Sequence, residues 1–136
     1  MEGAGPTAGA IRVVLADDDE GFLDSLRELI DSEDGLTVAA TASDGLQAID
    51  LVKDLQPDAL VIDLHMPRLD GVSAIAQLRE TLPTLCVIAL TGDESREIHE
   101  AVADAGGNAV LLKSQVVDGL PAHLRAAIPL LGPDPA

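Results

Sequence analysis

Five short apolar runs alternate with five segments of helical spacing, which predicts an α/β domain with a parallel sheet covered by helices on both faces. Two further observations support that class. The runs are continuously apolar instead of alternating with polar residues, the pattern of strands buried on both sides. Four of them also end in residues able to do chemistry: Asp17 and Asp18 after strand 11–16, Asp63 after 59–62, Thr91 after 85–90 and Lys113 after 109–112. If the runs are neighbouring parallel strands, all five residues meet at one edge of the sheet, where open α/β folds place their sites.

The elements follow in order. Residues 1–10 (MEGAGPTAGA) are small and are expected to form a flexible leader. After strand 11–16, Phe22, Leu26, Leu29 and Ile30 stand at helical spacing within 20–31. A β-branched strand is expected at 36–41. Leu46, Ile49, Leu51, Val52 and Leu55 mark a second helix that must stop before Pro57. Strand 59–62 leads through His65-Met66-Pro67 to a third helix, 71–81, closed by Pro83. Strand 85–90 precedes a fourth helix at 94–105, with Gly106-Gly107 as its stop. Strand 109–112 leads to a short last helix. Pro121 suits its first turn, and Pro129 disfavours helix at Ile128. That leaves about ten residues, roughly 15 Å. The domain is expected over 11–131, followed by a flexible tail at 132–136. The sequence has no internal repeat and no low-complexity tract.

Composition narrows the class of function. A chain of 136 residues fits one domain. With 47% hydrophobic residues and Phe22 as its one aromatic, the core must be Val, Ile, Leu and Ala. No apolar stretch approaches the ~20 residues of a membrane span. The formal net charge is -16, from 24 acidic against 8 basic residues, which argues against direct nucleic-acid binding. The lone Cys86 cannot form an internal disulfide, and no secretory pattern opens the chain, so a cytoplasmic location is expected.

Taken singly, the edge residues are ordinary. Acids after a strand often cap the next helix, and Asp19 is placed best for that. Asp63 could cap the loop before Gly71, Thr91 could be a loop hydroxyl and Lys113 a solvated lysine. Taken together, they read differently. Three neighbouring carboxylates repel one another, and a hard cation that takes oxygen ligands, such as Mg²⁺, relieves that cost. A carboxylate can attack phosphorus. A cation and an ammonium can neutralise the charge on a transferring phosphoryl group, Thr91 can donate to one of its oxygens, and Gly92 leaves room for its approach.

Four motifs carry a specific resemblance: Val-Leu-Ala-Asp-Asp, Pro-Asp-Ala-Leu-Val-Ile-Asp-Leu-His-Met-Pro-Arg-Leu-Asp-Gly, Ile-Ala-Leu-Thr-Gly and Leu-Leu-Lys-Ser. Over about residues 11–131 the chain resembles the receiver domain of bacterial two-component response regulators, in a stand-alone, chemotaxis-regulator-like form. The resemblance implies a flavodoxin-like (βα)5 doubly wound parallel sheet in strand order 2-1-3-4-5. It implies Asp63 as phosphoacceptor, with Thr91 and Lys113 binding the phosphoryl oxygens. It implies Mg²⁺ held by Asp18, Asp63 and the backbone carbonyl of His65, with Asp17 acting largely through water. The implied partners are a sensor histidine kinase or histidine phosphotransfer protein and a downstream protein target. The implied state is a monomer or weak homodimer, with no enzymatic turnover beyond its own phosphorylation and dephosphorylation.

Several residues depart from the family pattern or have two readings. Many receivers carry Tyr or Phe where this chain has Val110, so switching is expected to differ from the aromatic mechanism. Many carry Pro where this chain has Ser114, and the Lys113–Ser114 bond is expected to be trans. His65 is either an exposed loop histidine or an influence on the hydrolytic water, and Asp93 occupies a position that tunes phosphoryl lifetime. Cys86 and Phe22 are expected in the core, and His99 and His123 on the surface. Two alternatives stand beside the stand-alone switch. One is a receiver belonging to a longer DNA-binding regulator, since no output domain follows the last helix in this sequence. The other is a haloacid-dehalogenase-type phosphatase, although Asp17-Asp18-Asp19-Glu20-Gly21 lacks the last residue of that signature.

Overall fold

The computed structural model describes residues 10–93 and 95–128. Most of the expected leader, the tail at 132–136 and Glu94, the expected start of the fourth helix, lie outside them. The elements are β1 (Ile11–Ala16), α1 (Glu20–Asp31), β2 (Leu36–Ala42), α2 (Gly45–Leu55), β3 (Ala59–Asp63), α3 (Gly71–Thr81), β4 (Cys86–Thr91), α4 (Arg96–Ala105), β5 (Ala109–Leu112) and α5 (Val116–Ala127). The strands form one parallel sheet in the order β2-β1-β3-β4-β5, so the fold is the expected doubly wound, flavodoxin-like one.

Side-chain alternation divides the core into two layers. Val14, Ala16, Leu60 and Ile62 face α2, α3 and α4, where Ile49, Val52, Ile75, Leu78 and Val102 meet them. Val13, Leu15, Val61 and Leu90 face α1 and α5, against Leu26, Ile30, Leu120 and Leu124. The three central strands are buried along nearly their whole length, as their continuous apolar sequence requires. The edge strands β2 and β5 are mostly half-buried. β2 also carries a register shift opposite Val13 and Val14, which leaves Ala39 unpaired.

Four helices begin at a side-chain cap. Asp19, Asp44, Asp70 and Ser95 accept from the backbone N–H of Phe22, Gln47, Ser73 and Ile98. Each cap satisfies one of the donors that a helix start leaves free. α4 ends at Gly106, whose φ of 105° suits glycine. The Arg79 side chain fastens that corner, donating to Gly106 O at 2.9 Å, Pro83 O at 2.9 Å and Asn108 Oδ1 at 3.1 Å.

The last helix corrects the sequence reading. It begins at Val116, directly after a 3-10 turn over Lys113–Gln115, so Pro121 is its sixth residue and lies beyond the first turn. The spacing of Val116, Leu120 and Leu124 accounts for the earlier start, since all three are buried against the sheet. The missing proline N–H leaves free the carbonyl of Val117, a residue that is 69% exposed and open to water. The helix ends at Ala127, with Ile128 outside it, as expected before Pro129.

The segment after β3 is held close to the sheet. Gly71 donates its N–H to Leu64 O at 3.0 Å. A Cβ on Gly71 would lie 2.6 Å from Asp63 O and 2.8 Å from Leu64 Cα, both backbone atoms that cannot turn aside. Gly71→Ala is therefore expected to cost about 1–3 kcal/mol in urea unfolding. A Cβ on Gly92 would meet nothing within 4 Å, so Gly92→Ala should stay within about 0.5 kcal/mol of the parent.

Candidate functional site

The carboxyl ends of β1, β3, β4 and β5 bring the predicted residues together. Asp17 is fully buried, because it follows the fully buried end of β1 at the centre of the sheet. Its N–H donates to Ala42 O at 3.0 Å, and its Oδ1 accepts from Asp19 N–H at 2.8 Å. Asp18 is exposed beside it. Asp63 is 3% exposed and ends β3, and its Oδ1 accepts from His65 N–H at 3.2 Å. Carboxylate oxygens of Asp17, Asp18 and Asp63 lie within 4.8 Å of one another.

Lys113 reaches over this group from the turn after β5. Its Nζ is 2.9 Å from Asp17 Oδ2 and 3.3 Å from Asp63 Oδ2. It donates a hydrogen bond to Asp63, whereas its contact with Asp17 is ionic and leaves Asp17 Oδ2 buried without a directed hydrogen bond. The side chain is only 27% exposed and paired with both carboxylates, so Lys113 joins the group as its position after β5 implied and is not a solvated surface lysine.

The electrostatics follow from burial. Burial pushes the Asp63 carboxyl above the ordinary carboxylate value; the Asp17 charge adds to this, while the His65 N–H and Lys113 oppose it. Burial also works against the Lys113 ammonium, but Asp17 and Asp63 outweigh it and hold its pKa above that of a free lysine. Three carboxylates against one ammonium leave a formal surplus of two negative charges. Ligand oxygens across an octahedral Mg²⁺ stand about 4.2 Å apart. The oxygens of the three carboxylates lie within 4.8 Å of one another, and one ammonium is shared between two of them, which leaves a compact set of hard oxygen donors with negative charge to spare. The donor set therefore fits a small, hard dication.

Thr91 is fully buried at the end of β4. Its hydroxyl donates to Asp93 O at 3.0 Å and accepts from Asp93 N–H at 3.2 Å, so it is turned toward its own loop. The space beside Gly92 is open, so the expected clearance does not depend on the missing side chain. His65 is exposed, Val110 is half-buried against the α2–α4 layer, and every peptide among the described residues is trans, Lys113–Ser114 included. His123 is exposed and His99 half-buried; Cys86 is buried, as expected.

Two features escaped the sequence reading. Phe22 is only half-buried, and the Lys113 ammonium lies 4.7 Å from its ring centroid. Its helical spacing marked it as core, and nothing in that pattern pointed across to β5. The loop after β3 also carries Arg68 at φ 70°, a strained conformation for a side-chain-bearing residue, with its Nε 3.3 Å from Asp44 Oδ2.

Comparison with known proteins agrees with this geometry. Residues 13–125 match the response regulator receiver domain family. The chain is 38% identical over 124 residues to the response regulator MprA of Mycobacterium sp. (strain KMS), covering 91% of this chain and 53% of that protein. The MprA of Mycobacterium tuberculosis (strain H37Rv) is 37% identical over 127 residues, covering 93% of this chain and 54% of that protein. The chain thus spans about half the length of these curated relatives. Among solved structures, the response regulator domain of Thermotoga maritima CheB superposes with a TM-score of 0.82 at 28% identity, covering 93% of this chain and 99% of that one. The isolated receiver domain of RcsB from Salmonella enterica, solved in the presence of the phosphomimetic BeF3-, gives 0.78 at 25%, covering 90% and 98%. The chain belongs to the response regulator receiver domain family, the phosphorylation-based signalling modules of two-component systems.

Proposed function

We propose that this chain is a phosphorylation switch. Asp63 takes a phosphoryl group from the phosphohistidine of a sensor kinase or histidine phosphotransfer protein, and the signal passes on by contact with another protein. The observation that carries this reading is the charge-surplus group of buried Asp17 and Asp63 with exposed Asp18, capped by Lys113, in a chain of the receiver family. Asp17, Asp18, Asp63 and the His65 carbonyl would hold Mg²⁺, which when bound supplies counter-charge to the transferring group.

This chain's own residues do the rest. One Asp63 oxygen forms the bond to phosphorus as the bond from phosphorus to the donor nitrogen breaks, and that nitrogen takes up a proton. Burial keeps competing water from Asp63, and the Lys113 ammonium faces the charge brought in. The Thr91 hydroxyl must leave the Asp93 carbonyl to donate to a phosphoryl oxygen. No turnover of outside phosphate esters is part of this function, and release of an ester's phosphate over many cycles would overturn it.

A second reading keeps the site and changes its setting. Because the MprA relatives are nearly twice as long as the matched region, the same receiver would fit within a DNA-binding regulator. The length of the full open reading frame decides between them. The charge of -16 favours protein contact over nucleic acid for this region in either case.

Three outcomes are expected. With acetyl phosphate and Mg²⁺, intact-mass analysis should show one phosphoryl group, and none after chelation or in Asp63→Asn; a labelled Asp63→Asn protein would refute the assignment. Mg²⁺ should raise the melting temperature with concentration, the gain in stability reaching about 2.7 kcal/mol at 100 times its dissociation constant. Asp18→Asn should blunt that response, and a melting curve indifferent to tens of millimolar Mg²⁺ would argue against a metal site. With beryllofluoride, backbone amide shifts should centre on Thr91–Asp93 and the start of α4. The β-branched Val110 has few rotamers to exchange, so it should move little. Equal shifts at Val110 and α5 would show that switching runs through β5 after all.

A further inference from the structure

We infer that Phe22 is a positioning residue for Lys113: its ring face holds the ammonium over Asp17 and Asp63, and the site depends on that face being aromatic. The inference rests on the reading of Lys113 as the cation that faces the phosphoryl group, and it adds a residue that contacts that ammonium through its ring face.

The geometry comes first. Lys113 Nζ lies 4.7 Å from the Phe22 centroid, inside the ~6 Å over which a ring face attracts a cation. The two carboxylates lie at 2.9 Å and 3.3 Å, so the ammonium is in contact with both carboxylates and with the ring face. The ring is well anchored. Phe22 stands in the first turn of α1, its N–H is taken by Asp19 Oδ1 at 3.2 Å, and its side chain packs on the layer that buries Leu26 and Ile30. It is also the chain's single aromatic residue, placed where the chain keeps its buried charge.

Lys113 needs such a holder. Its flexible four-carbon stem springs from a short turn beyond the edge strand β5, with solvent on one side. In the metal-free site the carboxylates hold the ammonium inward. A dication bound by Asp17 and Asp63 competes for those same oxygens and repels the ammonium, so that hold weakens at the moment the phosphoryl group must be met. The ring's attraction does not depend on the carboxylates and persists through that exchange. An aliphatic side chain of similar volume would fill the space without offering a negative face.

The test uses Phe22→Leu and Phe22→Met as non-aromatic variants, Phe22→Tyr as the conservative one and Lys113→Met as background. All are first compared by melting temperature, so that loss of folding is separated from loss of position. The rate of Asp63 phosphorylation by acetyl phosphate at saturating Mg²⁺ should fall about fivefold in Phe22→Leu and Phe22→Met, the effect of losing one cation–ring contact. Phe22→Tyr should recover to within about twofold. In the Lys113→Met background, Phe22→Leu should change the rate no further. A parent-like rate in both non-aromatic variants, or an equal loss in the Lys113→Met background, would overturn the proposal. Proton NMR of the Lys113 ε-methylene supplies a readout independent of activity. The ring should shift these protons upfield in the parent, and the shift should vanish in Phe22→Leu. If the parent takes no phosphoryl group, the functional reading fails, and this shift alone decides the positioning: its presence supports the contact, and its absence overturns it.

Discussion

Crowding of like charge at the carboxyl edge of the sheet is the constraint on which the rest of the structure turns. Asp17 and Asp63 are buried at the ends of two adjacent inner strands, β1 and β3, with Asp18 exposed beside them. Three carboxylates so close are unfavourable unless something positive joins them. One ammonium from Lys113 offsets part of that charge, and burial, with the Asp17 charge adding to it, still holds the Asp63 carboxyl above the ordinary carboxylate value. A fold that keeps such a charge surplus at its sheet edge suits the cation and phosphoryl group proposed for it. Its stability must come from elsewhere, here from two apolar layers that close on either side of the sheet.

Those layers also explain how the edge is aligned. The strands run parallel, so their carboxyl ends and the starts of the helices that follow all lie on one side. Side-chain caps at Asp19, Asp44, Asp70 and Ser95 fix where four of those helices begin. Gly71 lets α3 start against the backbone of Asp63 and Leu64, which holds the loop after β3 down. On the other side of the sheet, Arg79 ties the end of α3 to the turn before β5. The position of Lys113 thus depends on a chain of contacts that reaches well beyond its own strand.

Most of this was legible in the sequence, for physical reasons. A strand buried on both faces must be continuously apolar, so β1, β3 and β4 stood out, and the polar residues ending them could be read as one edge. Helix caps and stops follow local rules, so α1, α3 and the glycine end of α4 were placed closely. Two things were not legible. The start of α5 was misjudged because Pro121 suggested a first turn, whereas burial of Val116, Leu120 and Leu124 outweighs one missing hydrogen bond. The place of Phe22 was missed because helical periodicity reports which face is apolar and says nothing of a cation arriving from a residue 91 positions later.

The Thr91 hydroxyl and the Lys113 ammonium occupy opposite situations in this arrangement. Thr91 is buried, and its hydroxyl is satisfied by the Asp93 backbone, so moving it toward a phosphoryl oxygen costs the loop its own hydrogen bonds. Lys113 is already in place against both carboxylates, so it has little distance to travel. If Asp63 carries a phosphoryl group as proposed, Lys113 already faces it, and the Thr91 hydroxyl is the group that would have to move, taking the loop over Gly92 and Asp93 with it. The Gly92 neighbourhood is open, so that loop has room to follow Thr91 without disturbing the packed core. At Val110 the side chain lies against the apolar layer of α2–α4 and has few alternative rotamers. A ligand shifts a conformational equilibrium only through differential contact with its states. On the proposed function that differential contact lies where β4 ends, at the Thr91 hydroxyl and the Asp93 backbone it now binds.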